Sequence, residues 1–269
     1  MKTESGKIAE LKKLGFEEVG DETPKSLVIS VYGLEKTGKT SLALGAPKPI
    51  AVFNFDQGLL RARKPKKMDG VMSTTVLVPP EATEDSPLYS KLWADFNQKV
   101  RTVLQGQLAK TVVIDTASAA WDLLRMSTLG KLSGVKPHHY TYPNGVWKGL
   151  IQVMRTSGIN VILLHRAGYA YETLKGSNGK AILDKSGNTT SEKTDRVERK
   201  GHNETGFDVD IEVGMYALDG KRRGVGMEII MCGFNKEVEG VRLESEIGGK
   251  TDMCNFNTLA ETCIEGWGE

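Results

Sequence analysis

Residues Gly33-Leu34-Glu35-Lys36-Thr37-Gly38-Lys39-Thr40 spell G-x-x-x-x-G-K-[ST], a spacing whose chemistry is the holding of phosphate groups. The two glycines let the backbone curl so that successive N–H groups point inward at phosphate oxygens. Lys39 is then placed to reach the outer phosphates of a nucleotide, and the Thr40 hydroxyl to ligate Mg²⁺. A helix opening at Ser41 aims its positive end at the same anion. Short Gly/Lys/Thr strings also occur in surface turns, and context separates the two cases. Here Leu27, Val28, Ile29 and Val31 make a buried-type strand before the loop, and Ser41-Leu42-Ala43-Leu44 follow as a helix. The expected nucleotide contacts are therefore Gly33, Leu34, Glu35, Lys36, Thr37, Gly38, Lys39, Thr40 and Ser41.

A phosphate-bound Mg²⁺ also needs a carboxylate. Thr111-Val112-Val113-Ile114-Asp115 is a β-branched run ending in an acid, and it predicts a buried strand that delivers Asp115 to the metal beside Thr40. A second run, residues 50–55 (IAVFNF), ends at Asp56 and Gln57. In doubly wound sheets ligands bind outside the C-terminal strand edge, so Asp56 is a candidate catalytic carboxylate. The other reading is a turn opened before Gly58. Residues 160–164 (NVILL) predict one more strand, with His165 and Arg166 at its tip. That polar pair reads either as a sensor of the γ-phosphate or as a solvated strand end.

Several elements must position these groups. Leu88, Leu92, Phe96, Val100 and Val103 recur at helical spacing up to the Gly106 stop, which predicts a covering helix of about five turns. Residues 117–129 and the run Val146, Trp147, Leu150, Ile151 and Met154 predict two further helices. Residues 73–78 (STTVLV) read as a short strand. Residues 1–25 read as a small N-terminal helix carrying Ile8, Leu11 and Leu14 and then a polar linker, with the helix either docked on the core or a neighbouring subunit or else a frayed tail. Residues 26–269 read as one domain. From Phe207 onward the pattern turns antiparallel, with strands at 209–218, 225–232 and 237–246 and a short closing helix at 258–263.

Two segments suit nucleic acid. Residues 130–144 (GKLSGVKPHHYTYPN) interleave Lys131, Lys136, Tyr140 and Tyr142, which suits stacking on single-stranded bases with phosphate neutralisation. Residues 167–206 are polar and without a sustained period, and a loop this long in a compact domain is functional or disordered. From Arg166 this segment carries eight basic against six acidic side chains. Lys185, Arg196, Arg199 and Lys200 are its candidate DNA contacts, and 169–172 with 181–183 predict a partly ordered hairpin.

Composition bounds the rest. The chain has 269 residues, 39% hydrophobic and 26% charged, with a net charge of +2. That is globular composition, and any nucleic-acid role must rest on local patches rather than on global charge. Cys232, Cys254 and Cys263 fall at no metal-ligand spacing and read as reduced thiols. No apolar run approaches the length of a membrane span, and no membrane partner is expected.

With the phosphate-binding loop, Asp56, Asp115 and the His165-Arg166 tip together, the chain resembles the RecA-like P-loop ATPases. It resembles most the phage-encoded branch that works in single-strand annealing and recombination. The resemblance covers roughly residues 26–236 and includes Glu35 at the third loop position, the strand end Phe53-Asn54-Phe55-Asp56-Gln57-Gly58-Leu59 and the strand ending at Asp115. It implies a mainly parallel twisted sheet flanked by helices, with ATP and Mg²⁺ as cofactors. It implies Lys39, Asp56 or Glu35, and His165 as catalytic residues. That family carries Glu where this chain has Asp56 and Gln where it has His165, which keeps Glu35 as a rival for the catalytic role. The resemblance further implies single-stranded DNA as partner, a homo-oligomeric ring or filament, a phage single-strand DNA-binding protein nearby, and the cytoplasm of a bacterial host. Two other functions stay open. One is a small-molecule or nucleotide kinase with 167–206 as its lid, and the other is a nucleotide-gated interaction protein that does not hydrolyse.

Overall fold

The computed structural model describes residues 4–16, 23–56, 58–60, 68–78, 86–130, 136–175, 181–183, 189–218, 223–247 and 252–268. Apolar, β-branched runs become the strands of one sheet: β1 (Val28–Gly33), β2 (Ile50–Asn54), β3 (Val71–Thr75), β4 (Thr111–Asp115) and β5 (Asn160–Thr173). β6 (Ser191–Arg199), β7 (Ile211–Ala217), β8 (Gly224–Cys232) and β9 (Arg242–Glu246) follow. The strand order is β3-β2-β4-β5-β1-β7-β8-β9, with β6 paired to β5 off this path. Every pairing from β3 to β7 is parallel, and β8 and β9 close the sheet antiparallel. The α/β fold and its C-terminal antiparallel strands are therefore as the sequence predicts, with one shift. β7, expected in an antiparallel set, runs parallel to β1, and only its far side pairs antiparallel.

Helices cover both faces, so the core strands are apolar on both sides. On one face lie α3 (Ser86–Gln105), α4 (Ala117–Leu129) and α5 (Thr141–Arg155), and the short α6 (Thr205–Asp208) follows β6. Phe96, Val100, Trp121, Leu124, Trp147 and Leu150 from these helices pack on Val28, Val112, Ile114, Val161 and Leu163. On the other face α2 (Lys39–Ala43) and α7 (Phe256–Cys263) bury Leu42, Phe256 and Leu259 against Ile29, Val31, Val113, Ile162 and Leu164. Alternate residues of each strand thus serve opposite layers, the period-two rule of a pleated strand. That parity decides which chemical groups can meet at the strand ends.

Some expected boundaries shift for local reasons. The segment read as a loop to residue 144 instead enters a 3₁₀ turn at Pro137–Tyr140 and joins α5 at Thr141. Pro143 is tolerated there because a helix's first turn has no N–H partner to lose. The strand expected over 73–78 is observed at Val71–Thr75, and the last one starts at Arg242 after a 3₁₀ turn. α7 starts earlier than 258 because the Asn255 side chain accepts from Thr258 N–H and caps it. The N-terminal helix α1 (Glu4–Lys13) forms, and Ile8, Leu11 and Leu14 on it and just beyond it are exposed.

The polar segment after β5 is more ordered than its composition suggests. β5 continues to Thr173 and pairs with β6, and the two make an antiparallel ribbon with a register shift between Tyr169 and Tyr171. The foot of this ribbon is bonded to the body. Arg199 Nε donates to Glu212 Oε1 of β7 at 2.6 Å, and its other nitrogens donate to the carbonyls of His202 and Asn203. Lys200 N–H donates to the Arg166 carbonyl at 2.8 Å, and Ser118 Oγ donates to the Lys200 carbonyl at 2.7 Å.

Candidate nucleotide site

The phosphate-binding loop joins the buried strand β1 to α2. A Cβ on Gly33 would lie 2.5 Å from the Met215 carbonyl oxygen, so only glycine fits where the loop leaves the sheet. Gly38 holds φ +92 and Lys36 φ +62. Left-handed residues alternating with right-handed ones turn neighbouring N–H groups towards one concavity. The loop is braced from within. Thr37 Oγ1 donates to the Leu34 carbonyl at 2.9 Å, and Lys39 Nζ donates to the carbonyls of Gly33 (2.7 Å) and Leu34 (2.8 Å). Glu35, Lys36 and Ser41 are exposed. The helix that follows is only five residues long, so its dipole adds less than a long helix would, and the loop's own N–H groups carry the anion chemistry.

β4 brings Asp115 to the same place. Thr40 Oγ1 donates to Asp115 Oδ2 at 3.0 Å. The strand stops there because Thr116 caps α4, its side chain accepting from Ala119 N–H. Burial pushes the Asp115 carboxyl up to about 6, and the negative charge of Asp56 adds to that rise, while Thr40, Lys39 and Arg166 oppose it. The Lys39 ammonium is held below its ordinary value by burial, against the pull of Asp115, Asp56 and Glu35. Two carboxylates therefore bear on one hydroxyl and one ammonium, and their repulsion is the kind that a divalent cation relieves. Oxygen donors of this type fit Mg²⁺, which Thr40 and Asp115 would hold, and the loop fits a polyphosphate.

Asp56 opens the turn that one of its sequence readings expects, and it stands close enough to the loop for its charge to be felt there. Its Oδ1 accepts from Gly58 N–H at 2.8 Å, which is the turn, and its charge acts on both Asp115 and Lys39. His165 is a correction. Asp115 pairs in register with Leu164, so His165 points to the opposite face and Arg166 to the face of Asp115. His165 is fully buried, and Nδ1 lies 3.3 Å from the Lys200 carbonyl. A carbonyl only accepts, so Nδ1 carries the proton of the neutral ring. Among the described atoms Nε2 has no partner. The residue thus faces the ribbon foot and not the phosphate loop.

The neutral state of His165 sets an acid limit on stability. Burial lowers it from its ordinary 6.5 to about 3, the Arg199 guanidinium and His202 push the same way, and the Lys200 carbonyl opposes them. Between those values the unfolded chain takes up a proton that the folded chain refuses, so this contribution is present near neutrality and is lost as pH falls below 6.5. At pH 5 the loss is about 2 kcal/mol. Urea unfolding at pH 7.5 and pH 5 should show wild type losing about 2 kcal/mol more than His165→Gln, because the raised Asp115 carboxyl, which takes up a proton over the same interval, offsets part of the fall equally in both proteins. Identical pH dependence in the two proteins would remove the assignment.

The expected DNA contacts differ in how exposed and how free their side chains are. Lys131 and Lys185 lie outside the described residues. Lys136 is exposed and Tyr142 is 69% exposed, but Tyr140 packs partly into the α3–α5 layer. On the ribbon, Arg196 is exposed and paired with Glu198 at 2.9 Å. Lys200 is exposed, while its backbone belongs to the ribbon foot. Arg199 is a second correction. Its side chain is 9% exposed, locked to Glu212, and structural rather than free for DNA. Ser118 and Glu212, which fasten the ribbon, carry no sequence signal of their own. Arg166 did carry one, since it shares the parity of the apolar Ile162 and Leu164.

A parallel sheet with this loop at the end of β1, and with Asp115 hydrogen-bonded to the loop's Thr40 across an intervening strand, defines a P-loop NTPase fold. A family profile described as "AAA domain" matches residues 25–204. The chain belongs to this AAA-domain family, whose members are nucleotide-binding ATPases. Comparison with curated proteins gave no match. No described helix is long and apolar enough to cross a membrane.

Proposed function

We propose that this chain is an Mg²⁺-dependent ATPase that binds single-stranded DNA and supports phage homologous recombination or strand annealing, assembled as a homo-oligomeric ring or filament. The observation that carries the reading is the origin of the β5–β6 ribbon. It rises from the strand that separates the phosphate loop from Asp115, so one element borders both the nucleotide and a large exposed surface. Bound Mg²⁺ supplies charge neutralisation on the phosphates. Lys39 swings from the Gly33 and Leu34 carbonyls to the γ-phosphoryl oxygens, and Asp56, with Glu35 as the rival, orients the attacking water. His165, against the Lys200 carbonyl, relays the strand-tip position to the ribbon.

The DNA surface draws on exposed aromatic and basic groups. Tyr142 lies in the first turn of α5 and Lys136 just before the 3₁₀ turn that leads into it, and on the ribbon Lys193 Nζ lies 3.5 Å from the centroid of the Tyr169 ring, with Tyr171 exposed. Tyr142→Ala should weaken oligonucleotide binding by about 1–3 kcal/mol, the range of one stacked base, read by fluorescence anisotropy. Unchanged affinity would remove Tyr142 from the surface. Phosphate release titrated with single- and double-stranded DNA tests the whole reading. Stimulation by single strands supports it. Release that needs a small acceptor points instead to a kinase, and binding without turnover to a nucleotide-gated interaction protein.

A further inference from the structure

Asn54 is a buried polar side chain that the mechanism above leaves unused. β2 alternates its residues between the two layers, with Ile50 and Val52 in the core on the α2 side and Phe53 in the core on the other. Asn54 carries the parity of Ile50 and Val52. An amide therefore stands at the last position of an apolar stripe, where a β-branched residue would suit the strand better.

Its place is fixed by both neighbouring strands. Asn54 pairs in register with Asp115 on β4, about 5 Å away, and parity puts the two side chains on the same face. Phe55 N–H donates to the Asp115 carbonyl at 2.6 Å, and the Asn54 carbonyl accepts from Val76 N–H at 2.9 Å. The turn that follows comes back against the same carboxylates. A Cβ on Gly58 would lie 2.8 Å from Asp56 Oδ1 and 3.8 Å from Asp115 Oδ2. Asn54 is 4% exposed, and among the described atoms its Oδ1 has no hydrogen-bond partner. A buried acceptor without a donor is costly. The ionised carboxylates of Asp115 and Asp56 offer it none, since they too only accept.

We propose that Asn54 is a positioning residue for the divalent cation, its Oδ1 accepting a hydrogen bond from a water that ligates the Mg²⁺ held by Thr40 and Asp115. Such a water only donates, because its lone pair is engaged by the metal, and Mg²⁺ keeps several waters when it binds beside phosphates. Acceptors around a metal's ligands orient them and strengthen its binding. This rests on the ATPase reading above and deepens it, by adding β2 to the strands that shape the metal's surroundings.

The test is Mn²⁺ binding to wild type, Asn54→Val and Asn54→Asp at saturating ADP, followed by the EPR signal of the free ion, with ADP affinity in EDTA measured alongside. Mn²⁺ takes the same octahedral oxygen ligands as Mg²⁺. Asn54→Val should bind Mn²⁺ about 10- to 100-fold more weakly, the usual cost of losing an outer partner, and keep its ADP affinity in EDTA. Asn54→Asp retains the acceptor and should bind Mn²⁺ at least as tightly as wild type. Unchanged Mn²⁺ affinity in Asn54→Val overturns the proposal while leaving the ATPase reading intact. An equal loss of ADP affinity with and without metal also overturns it, since the residue would then serve only the fold. Weaker Mn²⁺ binding in Asn54→Asp than in wild type overturns it too, because the amide N–H₂ would then be the group at work. That outcome can be read even where Asn54→Val fails to fold. A wild type that binds no ADP in the presence of Mn²⁺ overturns the ATPase reading and this proposal with it.

Discussion

Lys39→Ala should fold as the wild type does and lose nucleotide turnover by about 100-fold or more, the scale on which a single donor to a developing charge acts. The side chain is half-buried in the loop, and its ammonium donates only to the Gly33 and Leu34 carbonyls. Gly33 ends the buried strand β1 and Leu34 is partly exposed, so removing the donor should cost about 1–2 kcal/mol of stability and leave the fold intact. Burial already disfavours the charged form of Lys39, and the carboxylates of Asp115 and Asp56 oppose that. A desolvated ammonium gains most from a polyphosphate, because the anion replaces the water that burial removed. Phosphate release and a thermal melt on one preparation check both halves. Wild-type turnover in the variant would remove the loop from the chemistry.

Asp56→Asn should leave nucleotide binding nearly intact and slow hydrolysis by about 10²- to 10⁴-fold, the usual worth of a positioned base. The substitution is conservative for the fold. An amide oxygen still accepts from Gly58 N–H, so the turn survives. What changes is the charge beside Asp115, whose carboxyl should drop back towards its ordinary range once Asp56 is neutral. Glu35→Gln, at an exposed loop position, is the matched control. Single-turnover kinetics on the two variants assign the role, and normal hydrolysis in Asp56→Asn with loss in Glu35→Gln gives it to Glu35.

The parts of this site that were legible in the sequence are those written in local pattern. The apolar runs before Gly33, Asp56 and Asp115 declare buried parallel strands, and a ligand edge follows from their ends. Parity along 160–166 was equally available, and it separates His165 from Arg166 without any structure. The outer half of β5 was not legible in the same way. Most of this ribbon is exposed or only half-buried, so it has no continuous apolar side and leaves no period-two signal beyond its tyrosines. The direction of β7 was hidden for another reason. Its hairpin with β8 is local and reads antiparallel, whereas its parallel partner β1 lies some 180 residues earlier, and nothing near Ile211 reports that pairing. Arg199 misled because its string of mixed charges resembles a solvated face, and Glu212, which claims it, stands beyond the ribbon.

The fastened ribbon foot has a mechanical consequence. Arg199 on Glu212, Lys200 on Arg166 and Ser118 on Lys200 clamp one end, while the strands beyond Tyr169 and Val197 have no bonded neighbour but each other among the described elements. Such an object is a cantilever. Its compliance lies past the register shift at Tyr169 and Tyr171, and a load on its far end arrives at the clamp as torque rather than as displacement. The clamp includes the carbonyl of Arg166 itself, so bending the ribbon twists the peptide planes on either side of the residue that faces the phosphate loop.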